Sequence, residues 1–236
     1  MEERDKKEFL EDFQKRIEVN FNDIELLRRA LIHRSYINEN KNSGLEHNER
    51  LEFLGDAVLE LVITDFLFNK YPSKPEGELT SLRAALVNTV SLKKVAQSLD
   101  INESMYLSRG ESKDTGRARE FILANAVEAL IGAVYLDQGY DSAKRFIEKF
   151  ISIYTEKIVE EKLWIDAKSL FQEKAQEIES ETPDYKVLEE KGPDHDKMFV
   201  SGVYLKDELV ASGEGQSKQE AEQEAARIAL EKRDWK

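Results

Sequence analysis

The amino-acid sequence predicts an all-α domain followed by a small α+β domain, on three observations. From Lys6 to about Tyr154 apolar residues recur at spacings of three and four, and proline occurs only at Pro72 and Pro75. Beyond that block the pattern changes to helix, three short extended runs and helix. The charged stretch EKIVEEKLWIDAK (156–168) separates the two textures. The expected division is a helical domain over 8–154, a linker over 155–165 and a second domain over 166–235.

Composition narrows the function classes. The 236 residues include 48 Asp and Glu against 35 Lys and Arg, a net charge of −13, with 40% hydrophobic and 35% charged residues. Such a mixture describes a soluble globular protein. With no cysteine, disulfide frameworks, thiol nucleophiles and thiolate zinc sites are excluded. His33, His47 and His195 are too few and too scattered for a histidine-rich metal site. The N-terminus MEERDKKEFLEDF is charged from its second residue, unlike a signal peptide, and no apolar run is long enough to span a bilayer. A cytoplasmic location and no membrane partner are expected. The acidic balance argues against nucleic acid, whose phosphates attract Lys and Arg, and in favour of divalent cations, which carboxylates collect.

In the helical block, LEFLGDAVLELVITDFLF (51–68) carries apolar residues on every face, so a buried helix is expected. Within it Glu52 and Asp56 lie four apart on one face, with Glu49 a turn earlier. Like charges at that spacing repel by about 0.2–0.5 kcal/mol even when exposed, and by far more when desolvated. Gly55 leaves room for a backbone or a ligand to approach. A second helix, FILANAVEALIGAVYL (121–136), is almost wholly apolar but keeps Asn125 and Glu128 on one face. Two explanations stand side by side. The acids pair with Arg50, Arg83, Arg117 or Arg119, or they hold a cation. Oxygen donors from two helices suit Mg²⁺ or Mn²⁺, which activate water for phosphoryl chemistry. On the second explanation the domain is a helical metal-dependent phosphodiesterase or phosphohydrolase.

The second domain opens with the helical AKSLFQEKAQEIES. YKVLEE, MFVSGVYL and ELVASGEG follow as strands, the first two separated by the turn-like KGPDHDK, and SKQEAEQEAARIALEK closes it as a helix. Taken singly, Gln172, Gln176, His195, Ser217 and Lys218 are ordinary solvated residues there.

The string HNERLEFLGDAVL (47–59) resembles the signature of the ribonuclease III family. The likeness continues through ALIHRSY (30–36), EGELTSLRAALV (76–87) and ILANAVEALIGAVYLDQG (122–139). GPDHDKMF (192–199) and GEGQSKQEAEQEAA (213–226) resemble a double-stranded RNA-binding domain, so the match runs over about residues 8–233. The resemblance implies a homodimeric endoribonuclease that cuts double-stranded RNA and leaves staggered 5′-phosphate and 3′-hydroxyl ends. It implies Mg²⁺, with Mn²⁺ as a substitute, held by Glu52, Asp56, Asn125 and Glu128, with Asp56 and Glu128 catalytic. Glu49 and Glu76 match acidic positions of the same valley, and Phe53 matches a residue that enters the partner subunit. Gln172, Gln176, His195, Ser217 and Lys218 match positions that meet duplex RNA across successive minor grooves. The family processes structured precursors such as ribosomal RNA stems. Arg117 and Arg119 are placed to meet phosphate or to pair with Glu120 or Asp114.

Two departures carry expectations of their own. Asn125 stands where many members carry aspartate; an amide oxygen contributes no charge, so a higher Mg²⁺ requirement is expected. This position also supports an alternative, a duplex-RNA-binding protein on a catalytically weakened scaffold. In the C-terminal helix, Gln216 and Gln219 flank Lys218, and Glu220, Glu222 and Glu224 follow. The thin basic cluster predicts weak, salt-sensitive RNA affinity for that domain alone, with avidity in a dimer compensating. An unrelated phosphohydrolase acting on a small substrate is disfavoured by the α-β-β-β-α segment, for which such an enzyme has no use.

Overall fold

The computed structural model describes residues 3–113, 115–192 and 197–235, which fall into two compact units, 1–164 and 165–236. The first unit is built from α1 (Glu3–Ile17), α2 (Ile24–Ala30), α3 (Arg34–Glu39), α4 (Glu49–Lys70), α5 (Glu76–Val87), α6 (Thr89–Ser98), α7 (Ile101–Ser104), α8 (Arg117–Gln138), α9 (Tyr140–Phe150) and α10 (Thr155–Glu160). Local chemistry marks the boundaries. Asp23 and Asn88 cap α2 and α6 with their side-chain oxygens. Pro75 immediately precedes α5, where a missing N–H costs nothing. Gly139, at φ +79°, ends α8 and lets the chain turn into α9.

The long helices α4 and α8 form the centre of the unit and pack against each other more extensively than any other pair of elements. Their crossing is set by two glycines. A Cβ at Gly55 would stand 1.7 Å from the Glu128 carbonyl oxygen, and one at Gly132 would stand 2.2 Å from the Leu51 carbonyl oxygen. The space that Gly55 leaves is thus filled by the backbone of α8. Leu59, Val62, Ile63, Val127, Leu130 and Ile131 are fully buried around this contact, which the area removed from water stabilises. The start of α4 is fixed by Asn48, which is buried; its amide Nδ2 donates to the Ala30 carbonyl at 3.1 Å and its backbone N–H to the Ile32 carbonyl at 2.9 Å.

Two expectations are corrected. The helix over 51–68 is not buried on every side: Phe53, Leu61 and Phe68 are 83%, 57% and 69% exposed, and with Ala57 and Thr64 they form one open stripe. Hydropathy reports that a face is apolar and not what covers it. Residues 155–164, expected in a linker, belong to the first unit: α10 packs on α5, and Ile158 is part of the helical core.

The second unit runs α11 (Ala167–Glu179), β1 (Asp184–Lys191), β2 (Met198–Leu205), β3 (Glu208–Gly215) and α12 (Lys218–Arg233). The strands form an antiparallel sheet in the order β1-β2-β3, as expected from the sequence pattern. Both helices lie on one face, over Phe171, Val203, Leu205, Ala225 and Ala229. Gly213 brings α12 close, since a Cβ there would stand 2.3 Å from the Ala225 nitrogen.

An exposed helix interior gains about 0.5–1 kcal/mol when glycine becomes alanine. At this crossing the sign reverses. Gly55→Ala is expected to destabilise the helical unit by about 3 kcal/mol and to lower its thermal midpoint by roughly 10 °C, read by calorimetry. An unchanged midpoint contradicts the crossing.

Candidate active site

The crossing brings the acids of two helices to one place. On α4, Glu52 is half-buried and Asp56 exposed, one turn apart; on α8, Asn125 and Glu128 are both half-buried. Asn125 Nδ2 donates to Glu52 Oε1 at 2.9 Å. Burial, then the charges of Asp56 and Glu52, push the Glu128 carboxyl up to about 7. Burial and the charge of Glu49 likewise raise Glu52, with Asp56 adding to the effect and the Asn125 hydrogen bond opposing it.

Arginine does not explain these acids. Arg83 donates to Thr64 Oγ1 at 3.0 Å, and Arg50 is exposed. Arg119 is buried and its Nε donates to Asn102 Oδ1 at 2.8 Å, while Glu120 pairs with Lys93. Arg119 is therefore a tether to α7 and is not presented to a phosphate backbone. The side chain of Arg117, and Asp114, lie outside the described residues. Among the described residues no Lys or Arg neutralises Glu52, Asp56 or Glu128.

The donors suit a hard cation: they are oxygens, they come from two helices, and burial with neighbouring negative charge raises the proton affinity of Glu52 and Glu128. The set is open. Among the described residues no three carboxylate or imidazole groups already stand close enough to clasp one ion. An ion that retains several waters, as Mg²⁺ does, matches such an opening. Glu49 is engaged from the other side, 3.2 Å from Arg34 and 3.8 Å from His47 Nδ1. Glu76 opens α5 and accepts from Thr80 Oγ1 at 2.9 Å, and it is not among the charges that raise Glu52 or Glu128. Phe53 points to solvent between the two acids of α4.

In the second unit Gln172 and Gln176 lie one turn apart on the exposed face of α11, opposite buried Phe171 and Ala175. Ser217 caps α12, accepting from the Glu220 N–H at 3.2 Å, and Glu220 returns a carboxylate to the Gln216 N–H at 3.0 Å. Lys218 is exposed at the first position of α12, 3.6 Å from Glu190 and over the Phe199 ring. His195 lies outside the described residues. The sequence reading missed Gly132, Asn48 and Glu190. Only Gly132 had a visible signal, as the one residue without a side chain in a sixteen-residue apolar helix.

The two units define a class: a helical domain with a paired-acid centre, followed in the same chain by a small α-β-β-β-α fold with a three-stranded antiparallel sheet. Residues 23–154 match the family described as ribonuclease-III-like, and residues 167–233 match the double-stranded RNA binding motif. Ribonuclease 3 of Carboxydothermus hydrogenoformans is 47% identical over 228 residues, covering 95% of this chain and 96% of that protein. Ribonuclease 3 of Pelotomaculum thermopropionicum is 46% identical over 219 residues, covering 93% and 91%. The solved nuclease domain of ribonuclease III from Campylobacter jejuni superposes with a TM-score of 0.54 at 43% identity, over 60% of this chain and 97% of that domain. The chain belongs to the ribonuclease III family of double-strand-specific endoribonucleases.

The raised Glu128 carboxyl makes stability depend on pH. Between the ordinary glutamate value, roughly 4.3, and about 7 the folded chain binds more protons than the unfolded one, so stability falls as pH rises through that window. In chelator, the thermal midpoint is expected to drop between about pH 5 and pH 8, and Mg²⁺ is expected to raise it more at the higher pH. Glu128→Gln should flatten both responses in a thermal-shift titration; a pH-independent Mg²⁺ effect contradicts the reading.

Proposed function

We propose that the chain cuts duplex RNA at the Glu52, Asp56 and Glu128 centre using Mg²⁺, with Mn²⁺ as a substitute. The observation that carries this is a group of carboxyls on two crossing helices, in which burial and neighbouring negative charge raise the proton affinity of Glu52 and Glu128 with no basic partner among the described residues. Bound there, the cation supplies charge for the scissile phosphate and lowers the pKa of a water. Glu128 would hold the cation as a carboxylate, its proton passing to solvent. Asp56, exposed at the rim, accepts a hydrogen bond from the attacking water and orients it. Asn125 holds Glu52 Oε1 in place through its Nδ2 and adds no charge to the set. Attack on phosphorus with departure of the 3′ oxygen leaves 5′-phosphate and 3′-hydroxyl ends.

The active form is a homodimer. The stripe of Phe53, Leu61 and Phe68 on α4 is exposed apolar surface that a second copy of the chain would cover. Two such centres, each cutting one strand, produce staggered ends. In the second unit Gln172 and Gln176 reach 2′-hydroxyls, His195 enters the next minor groove, and Ser217 and Lys218 meet phosphate. The substrates are structured precursors, ribosomal and messenger RNA stems among them, in the cytoplasm. Among the described residues no helix is long and apolar enough to cross a membrane.

Asn125 favours the second reading, a duplex binder that does not cut. Cleavage of a long perfect RNA duplex across a Mg²⁺ titration decides between the two. The wild-type chain, running at twice the chain mass in light scattering, is expected to cut to short fragments. Glu128→Gln should lose about a hundredfold or more in rate, and Asn125→Asp should shift the Mg²⁺ midpoint downward. Binding without cleavage at any Mg²⁺ or Mn²⁺ concentration establishes the binder instead.

A further inference from the structure

The second unit spends its positive charge on itself: Lys168 pairs with Glu222, and Arg227 with Glu224 and Glu231. One such pairing lies where phosphate is expected. Glu190, near the end of β1, stands 3.6 Å from Lys218 through Oε1 and 3.1 Å from Lys197 through Oε2. A β-bulge puts it there. The register of β1 with β2 runs Tyr185 to Val203 and Val187 to Ser201, then slips at Leu188, so that Glu190 and not Glu189 lies opposite Phe199. Directly paired residues share a face of the sheet, and Val203 of this series is in the core beneath the helices. The bulge thus turns Glu190 to the helix side, where Lys218 lies 5.7 Å from the centre of the Phe199 ring. Glu189 is turned to the other face, opposite Val200 and paired with Lys191 at 3.1 Å.

We propose that Glu190 sets the affinity of this unit for duplex RNA by competing with RNA phosphate for Lys218. The inference rests on the reading of Lys218 as a phosphate contact. A phosphate reaching Lys218 must displace the carboxylate, and Glu190 then remains well within a Debye length, repelling it. An exposed pair is weak, so Glu190 tunes binding without abolishing it. Lys218 is held ready over Phe199, yet each duplex must outcompete a charge built into the same sheet.

The test is binding of a perfect RNA duplex to the full chain in chelator at fixed salt, with Glu190→Gln, Glu189→Gln, Lys218→Ala and the Glu190→Gln/Lys218→Ala double variant. Glu190→Gln is expected to bind about threefold tighter, and Glu189→Gln, which removes the same charge from the other face, to bind like wild type. Lys218→Ala is expected to weaken binding, and Glu190→Gln to add nothing in that background. Under turnover, Glu190→Gln should lower KM and leave kcat unchanged. Unchanged or weaker binding by Glu190→Gln, with Lys218→Ala weakened, overturns the competition and leaves Lys218 as a phosphate contact. Equal gains from both glutamine variants overturn it in favour of overall charge. A Lys218→Ala variant that binds like wild type removes the underlying reading and the inference with it.

Discussion

The direct backbone contact between α4 and α8 at Gly55 and Gly132 is the constraint from which the rest of the first unit follows. Two helices that meet at glycine approach so closely that a single methyl group at either position would overlap a carbonyl oxygen of the other. That approach carries Glu128 to the side of Glu52 and Asp56, and the apolar rows to either side close the core around it. Neither helix alone would place three carboxyls together. The crossing brings them within electrostatic reach of one another, and burial together with that repulsion raises the proton affinity of Glu52 and Glu128. A chain selected for stability alone would lose by keeping them. Their retention at this helix crossing, with no arginine paired to them among the described residues, is the physical argument for the proposed cation site.

Net negative charge and duplex RNA are compatible when recognition uses patches and not the average. In the second unit basic side chains are present but mostly engaged with carboxylates of the same fold, and the cap of α12 brings Glu220 to the helix end that would otherwise receive phosphate. On the proposed reading affinity is held down locally, and two such units in one dimer would restore it by effective concentration.

The sequence made much of this legible, and the omissions have physical reasons. Helix against strand followed from periodicity, and the paired acids stood out because carboxylates are rare in apolar helices. Gly55 was recognisable as a point of close approach, but its counterpart Gly132 was not, because one sequence does not say which residue faces another. Periodicity alone predicts a helix buried on every side over 51–68, since apolar patterning does not say what covers a face, and only the family resemblance set Phe53 apart from the core. The direction of the Asn125 amide, toward Glu52 as a donor, and the burial of Arg119 against Asn102 depend on tertiary placement. Glu190 was invisible for a different reason: a one-residue bulge decides which of two adjacent glutamates faces Lys218.

The most direct test of the central claim is the proton count on Mg²⁺ binding, obtained by titration calorimetry in two buffers of different ionisation heat. A carboxyl pushed up to about 7 by burial and by the charges of Asp56 and Glu52 is expected to release its proton when a cation binds. Near neutral pH the wild-type chain should release roughly half a proton per site, falling toward zero at alkaline pH and in Glu128→Gln. Mg²⁺ binding with no proton release near neutrality would contradict the account, because it would mean that the crossing does not force the carboxyls together.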